Sequence, residues 1–112
     1  MHIDPNVFAE LQDSAGAEFV TELVDTFLED APALIAELRA ARTAADAERF
    51  RRAAHSLKSN GNTFGALALA AKARELEMRG LAADAAADEA AIGDIANAFA
   101  DAAAELKSLS HG

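Results

Sequence analysis

Residues 51–66, RRAAHSLKSNGNTFGA, have the pattern of an amphipathic helix. On a helix, side chains three and four positions apart share a face. One face of this segment, extended back by one turn, is then entirely polar: Glu48, Arg51, Arg52, His55, Lys58, Ser59 and Asn62. The opposite face consists of apolar and small residues: Phe50, Ala53, Ala54, Leu57, Gly61 and Phe64. Such spacing is typical of a surface helix that packs against a core, so we expect His55 to point into solvent.

A single histidine on a helix has two ordinary interpretations, a solvated surface residue or a core residue with its polar atoms satisfied. The core interpretation fails because His55 belongs to the polar face. The surface interpretation does not explain why Arg51, Arg52 and Lys58 gather on one face of an acidic chain. Cations around an imidazole indicate a site for an anionic group.

The composition predicts a single all-α domain over residues 1–112. The chain has 31 alanines and two prolines, with few aromatic or β-branched residues, which favours helix almost throughout. A length of 112 residues allows one core but not two. The net charge of −9 argues against nucleic-acid binding, because a phosphate backbone selects basic surfaces. The absence of cysteine excludes disulfides, thiolate nucleophiles and cysteine-based zinc sites.

The sequence does not predict a membrane protein. No apolar stretch reaches the roughly 20 residues that a membrane-spanning helix needs. The first residues, Met1-His2-Ile3-Asp4, lack the cationic and apolar segments of a signal peptide. We therefore expect a cytoplasmic location.

Apolar periodicity and helix-terminal residues divide the chain into one short helix and four long ones. Asp4-Pro5 begins the short helix, which ends before Gly16. The long helices are predicted at about residues 17–41, from Asp46 to about residue 63, at about residues 66–79, and from Asp84 or Asp88 onward. Within the long helices, apolar residues recur at steps of three and four positions. Together with the short links, this spacing predicts an antiparallel four-helix bundle with a short N-terminal capping helix. The seam of the first long helix is Val20, Val24, Phe27, Ala31, Leu34 and Leu38, and that of the last is Ile92, Ile95, Phe99, Ala102, Leu106 and Leu109.

The run His55-Ser56-Leu57-Lys58, with Gly65-Ala66 downstream, resembles the histidine-containing phosphotransfer (HPt) domain of bacterial phosphorelays. The resemblance extends across nearly the whole chain. It includes Arg51-Arg52-Ala53-Ala54, Phe27-Leu28-Glu29-Asp30-Ala31-Pro32 and Arg74-Glu75-Leu76-Glu77.

The resemblance implies a four-helix bundle whose exposed histidine accepts a phosphoryl group from a receiver aspartyl phosphate and passes it to another receiver. The phospho-accepting residue would be His55, and Lys58 would neutralise phosphoryl oxygens. Ser59 departs from the family, which most often has Gly there, and we expect this to affect partner fit more than chemistry. Gly61 is a candidate to compensate in part.

The polar face suits phosphoryl transfer to a nitrogen nucleophile. Histidine is mostly neutral near pH 7, and we expect the neighbouring cations to disfavour the imidazolium further. After transfer the same cations would offset the new negative charge, with Ser59 able to donate a hydrogen bond. Glu48 and Asn62 are expected at the rim of the site.

The sequence has neither a glycine-rich phosphate loop nor a carboxylate cluster for Mg²⁺. We therefore expect a phosphoryl carrier with no intrinsic cofactor and no kinase activity of its own. The implied partners are response-regulator receiver domains, which would supply the Mg²⁺, and a sensor or hybrid histidine kinase. The basic face fits an acidic receiver pocket by complementary charge, and one exposed site is compatible with a monomer.

Other interpretations concern the rest of the surface and the function. Val7, Phe8 and Leu11 are candidates for partner contact, although capping the core is preferred. Arg39, Arg42 and Lys107 are interpreted as ordinary solvated charges. An interaction module that binds a receiver or kinase without accepting phosphate is the main alternative, which His55 together with Lys58 disfavours. A metal-carboxylate bundle needs paired Glu-x-x-His motifs, and no histidine here has Glu three residues before it.

Overall fold

Five helices make up the regular structure in the computed structural model, which describes residues 2–111, with the backbone alone at His111. They are α1 (Pro5–Ala15), α2 (Ala17–Ala44), α3 (Ala47–Phe64), α4 (Leu67–Arg79) and α5 (Ala85–His111). The four helices α2 to α5 pack as an antiparallel bundle, and α1 packs against both α2 and α3. The predicted four-helix bundle with a short N-terminal capping helix is confirmed. No helix in the described part of the chain is long and apolar enough to cross a membrane.

Side-chain caps begin two of the helices at the predicted residues. The Asp4 carboxylate accepts hydrogen bonds from the backbone N–H groups of Asn6 and Val7 at the start of α1. The Asp46 carboxylate accepts one from Arg49 at the start of α3. Both caps satisfy N–H groups that have no partner within the helix, which is why acidic residues are favoured at these positions.

The C-terminal boundaries depend on backbone conformation. Gly65 ends α3 with φ of 80°, in the left-handed region that favours glycine. α2 continues to Ala44, three residues further than predicted, because alanine does not interrupt a helix; it ends where Ala45 adopts φ of 53°. α5 begins at Ala85, directly after Asp84, the earlier of the two predicted starts.

The core lies between the four long helices and follows their seams. Its large fully buried side chains come from all four of them: Val20, Val24, Leu38, Phe50, Leu57, Leu69, Ile92, Ile95 and Leu106. Three aromatic rings meet within it. The Phe27 ring centroid lies 4.9 Å from that of Phe64, in a stacked pair, and 5.5 Å from that of Phe99, in an edge-on pair. The rings therefore link α2 to α3 and to α5.

Two predicted seam positions are wrong. Ile35, and not Leu34, enters the core, because the chain takes a step of four residues from Ala31 rather than three; Leu34 is half-buried. Leu109 is 44% exposed, whereas the next residue, Ser110, is half-buried and its backbone carbonyl oxygen accepts a hydrogen bond from the Thr21 hydroxyl of α2. Adjacent residues fit a three-four rhythm equally well, so periodicity alone does not choose between them.

α1 caps the core at the turn between α3 and α4. Phe8 is buried, while Val7 and Leu11 are half-buried. The Asp4 backbone N–H donates to the Gly65 carbonyl oxygen at 2.8 Å. The preferred interpretation of this apolar cluster as a core cap is confirmed.

α3 and α4 approach each other most closely at Gly61. A Cβ at this position would lie 3.1 Å from the Ala66 oxygen and from the Cβ and backbone N of Ala70. Gly61 therefore faces α4, and the suggestion that it leaves room for a partner is wrong. The close contact sets the register of the two helices, and so decides which α4 residue lies beside His55.

Candidate functional site

His55 is the ninth of the 18 residues of α3, so it lies at the middle of the helix. Its side chain is 53% exposed. The other polar residues predicted for this face, Arg51, Arg52, Ser59 and Asn62, are also exposed. The opposite face of α3 is buried, as the apolar spacing predicted.

A carboxylate from α4 lies against the imidazole. Glu77 Oε2 is 2.6 Å from His55 Nδ1, and Glu77 Oε1 is 2.7 Å from Lys58 Nζ. The Glu77 side chain is only 16% exposed, less than either of its partners. One carboxylate from the neighbouring helix thus bridges the histidine and the lysine.

Glu77 decides which nitrogen of the imidazole is free to react. Hydrogen bonds from Lys58 and His55 hold the pKa of the Glu77 carboxyl below its ordinary value, with Lys58 contributing more. The carboxyl is therefore ionised near neutral pH and only accepts hydrogen bonds. His55 Nδ1 must then be the donor, which places the lone pair of the neutral ring on Nε2. The arrangement offers Nε2 as a nucleophile.

The prediction that cations directly surround the His55 imidazole is wrong in its detail. Arg51 Nη2 lies 2.8 Å from Glu48 Oε1, and Arg52 Nε lies 3.8 Å from the same oxygen. Lys58 is paired with Glu77. The charged group that contacts the imidazole is therefore a carboxylate and not a cation. The cations share the face with His55, but each has an acidic neighbour.

Sequence reasoning missed Glu77, although the sequence contains a signal for it. α3 and α4 form a helical hairpin in which Gly61 faces Ala70. His55 lies six residues before Gly61, and an equal step forward along α4 from Ala70 ends at Leu76, one residue before Glu77. Mirroring the two helices about their turn would have placed the segment Leu76-Glu77 opposite the histidine, and Glu77 is the polar residue of the two.

A groove runs beside His55 between α2 and α3. It has a volume of about 460 Å³ and is lined by Asp30, Ala33, Leu34, His55, Ser56, Ser59 and Asn60. Ser59 therefore lies in the groove wall, one turn from His55. Asn62 lies a further turn along α3, as a rim residue.

The groove continues towards the start of α3, where an ion pair closes its side. Arg49 Nη2 and Nε donate to the two Glu37 oxygens at 2.7 and 3.1 Å. These hydrogen bonds lower the pKa of Glu37 and raise that of Arg49. Arg52 lines the same part of the groove. The groove thus has acidic residues on its α2 wall, Asp30 and Glu37, and basic ones on its α3 wall.

A second charged cluster that sequence reasoning missed lies where α2 and α4 end and α5 begins. Asp88 is fully buried; its oxygens lie 3.0 Å from Arg42 Nε and 2.9 Å from Arg79 Nη1. The same carboxylate accepts a hydrogen bond from the Ala82 backbone N–H at 3.1 Å. Arg42, expected to be solvated, is 19% exposed and ion-paired, so that prediction is wrong. The partners come from three different elements, which is why no local pattern indicated the cluster.

No group of three or more histidine, aspartate or glutamate side chains within residues 2–110, whose side chains the structure describes, is placed to hold a metal ion. The chemistry that the site itself offers is that of an exposed nitrogen nucleophile. A carboxylate lies behind the ring, and an ammonium group lies one turn away.

Comparison with known proteins agrees with this chemistry. A sequence model of the Hpt domain matches residues 22–109, which include all of α3 and α4 and most of α2 and α5. Among solved structures, the chain is similar to histidine-containing phosphotransfer protein B (HptB) from Pseudomonas aeruginosa PAO1. The two share 32% sequence identity with a TM-score of 0.83, over 98% of this chain and 95% of that one. A search of curated proteins found no match.

Proposed function

Since the chain belongs to the Hpt domain family and is a histidine phosphotransfer protein of a phosphorelay, we propose that His55 is its phosphorylated residue. In this proposal His55 accepts a phosphoryl group from a receiver aspartyl phosphate and passes it to a second receiver. The observation that carries the assignment is the bridge that Glu77 forms between His55 and Lys58. It orients an exposed imidazole and leaves its Nε2 free.

The transfer follows from this geometry. The Nε2 lone pair attacks phosphorus in line, the N–P bond forms, and the bond from phosphorus to the aspartyl oxygen breaks, returning a carboxylate to the receiver. The ring gains positive charge as Nε2 bonds to phosphorus. Its Nδ1 proton stays in the 2.6 Å contact with Glu77, whose negative charge offsets that gain. Reversal of the same step onto another receiver restores the neutral ring.

Lys58 has a different part in the proposal. Its ammonium group lies on the same face as His55, three residues along the helix, and is held by Glu77 at 2.7 Å in the unphosphorylated site. Four single bonds in the lysine side chain allow it to turn towards the phosphoryl oxygens once they arrive. Arg51, Arg52 and the Ser59 hydroxyl support the same negative charge from the exposed face.

We place the receiver over His55 and the groove between α2 and α3. Ala33 and Leu34 give the groove apolar walls beside the reactive ring. Ser59, small but not glycine, sets how closely the partner backbone can approach. The receiver would hold the Mg²⁺ together with the aspartyl phosphate in its own acidic pocket. The chain then acts as a monomeric phosphoryl carrier without kinase activity of its own.

Labelling from a panel of phosphorylated receiver domains tests the proposal. The wild-type chain should take up an acid-labile phosphoryl group from at least one donor, and His55→Gln should abolish the uptake. The fold should survive this change, because an exposed helix position tolerates Gln at little cost. His2→Gln is the matched control and should label like the wild type.

Two results would contradict the proposal. Equal labelling of the wild type and His55→Gln would move the phosphoryl group to another residue. Binding of receivers without labelling from any donor would favour the alternative, an interaction module that does not accept phosphate.

A further inference from the structure

Glu77 occupies the last turn of α4, which ends at Arg79. Terminal helical turns open more readily than helix interiors. On one side of Glu77, the turn is held by the buried Leu76, whose carbonyl oxygen accepts from the Gly80 N–H at 2.8 Å. On the other side it is held by the ion pair of Arg79 with Asp88. The carboxylate that orients the imidazole thus depends on anchors at the end of its helix.

The ion pair at Asp88 is not explained by stability alone. A fully buried carboxylate loses its hydration, and replacing buried ion pairs by apolar residues is often neutral or stabilising. Ion pairs do specify geometry, because they hold particular atoms at particular distances. Arg79 Nη1 lies 2.9 Å from Asp88 Oδ1, which fixes the last residue of α4 relative to α5. Arg42 holds the same carboxylate relative to α2.

We propose that Asp88 and Arg79 are positioning residues for His55 that act through Glu77. Their ion pair keeps the last turn of α4 wound, which keeps Glu77 Oε2 within hydrogen-bond distance of His55 Nδ1. When the turn loosens, Glu77 leaves the ring and the imidazole proton is free to occupy Nε2. The expected effect on phosphoryl transfer rests on the proposed function. The expected effect on the position of the imidazole proton does not.

Nitrogen NMR of the imidazole in the full chain reads out this effect without any phosphoryl transfer. The wild type should carry the neutral-ring proton on Nδ1. Arg79→Gln should shift the population towards the Nε2-protonated form, and its fold should survive because Arg79 is 40% exposed. Arg42→Gln is the matched control. It removes the other arginine from the same carboxylate but leaves α4 anchored, so His55 should keep the wild-type proton position.

A double-mutant cycle separates positioning from general destabilisation. Arg79→Gln should slow phosphoryl transfer by about threefold to tenfold in the wild-type background and cause no further loss in a Glu77→Gln background. An equal loss in both backgrounds would overturn the inference, as would an unchanged imidazole proton in Arg79→Gln. Absence of labelling in the wild type would instead contradict the proposed function, and the NMR measurement would still decide the positioning role.

Discussion

A single carboxylate contacts two neighbours at the proposed phospho-accepting histidine. Glu77 contacts His55 through one oxygen and Lys58 through the other, at 2.6 and 2.7 Å. In the proposed function, the first contact selects the ring nitrogen that accepts the phosphoryl group, and the second holds a cation close to where the phosphoryl oxygens would arrive. Because Glu77 is ionised, the unphosphorylated site places one negative and one positive charge beside the imidazole. Substitutions at Glu77 should therefore change both the imidazole and the lysine.

Replacing Glu77 with Gln should alter how stability depends on pH. The pKa of Glu77 is lowered in the folded protein from the ordinary value of 4.5. Its contribution to stability is therefore fully present above about pH 4.5 and is lost as the pH falls through the folded pKa. The difference in free energy of unfolding between the wild type and Glu77→Gln should shrink on acidification, as measured by denaturant titrations at a series of pH values.

Lys58→Met provides the control for this pH dependence. The hydrogen bond from Lys58 is the largest cause of the lowered pKa of Glu77. The acid-dependent part of the difference should therefore decrease when Glu77→Gln is measured against a Lys58→Met background. A difference that stays constant across the acidic range in the wild-type background would show that Glu77 does not gain its stabilisation from these contacts.

The residues of the site could be predicted from sequence only where they share a helix. His55, Lys58 and Ser59 follow from spacings of three and four residues. Glu77 comes from the next helix, and its position depends on the α3–α4 register. Asp88 depends on contacts with α2 and α4 that no local periodicity contains. The sequence therefore did not show that Asp88, in an alanine-rich segment, pairs with Arg42 and Arg79.

The contact between α3 and α4 leaves no room for a larger residue at Gly61. At Gly61 the helices approach so closely that a methyl group would meet the backbone of α4 at 3.1 Å. Backbone atoms yield less readily than flexible side chains, so the register of the hairpin is strongly specified here. That register places Glu77 beside His55.

Gly61→Ala should destabilise the protein although alanine is the better helix former. The gain in helix propensity is about 1 kcal/mol, whereas overpacking a close contact costs about 1–3 kcal/mol. We expect a net decrease of roughly 1 kcal/mol in the free energy of unfolding. Gly93→Ala is the control. Gly93 lies within α5, and outside the backbone of its own helix and its two chain neighbours no atom lies within 4 Å of the point where the added methyl group would sit. This substitution should stabilise the protein by about 0.5–1 kcal/mol. Chemical denaturation compares the two, and a gain at both positions would contradict the tight contact.

Element boundaries were predictable where a single residue type determines them. Asp4, Asp46 and Gly65 mark helix ends because their side chains or backbone suit those positions. The choice between Leu34 and Ile35 was not predictable, since two adjacent apolar residues fit the same rhythm and only the packing of α3 decides between them. Leu34 consequently lines the groove beside His55.

The aromatic cluster holds the molecule together across three helices. Phe27 from α2 contacts both Phe64 of α3 and Phe99 of α5. Phe27→Ala should lower the free energy of unfolding by about 3–5 kcal/mol, because it removes a buried ring and leaves a cavity. Phe19→Ala, at a position that is 52% exposed, should cost less than about 1 kcal/mol. Similar losses for both variants in thermal or chemical unfolding would contradict the central role of the cluster.

Charge is distributed unevenly over the whole molecule. Nine of the 19 acidic residues precede the first cation, Arg39, and the rest of the chain has ten acids and ten cations. The net charge of −9 therefore resides in residues 1–38, which form α1 and most of α2. In the proposed function, we expect an acidic receiver pocket to be repelled by residues 1–38 and attracted by the arginines of α3, so that it approaches the groove from its α3 side. Charge thus restricts the orientation in which such a partner can approach.

His55 lies at the middle of an 18-residue helix rather than on a loop. Reactive residues on loops often become ordered only when a partner arrives, and ordering each flexible side chain costs about 0.5–1.5 kcal/mol of binding free energy. The backbone around His55 is already ordered before any encounter, so association loses little conformational entropy on this side of the interface. If the proposed transfer holds, we expect contacts with successive receivers to be brief and still productive, because reaching the reactive arrangement requires orientation of the two surfaces and no folding.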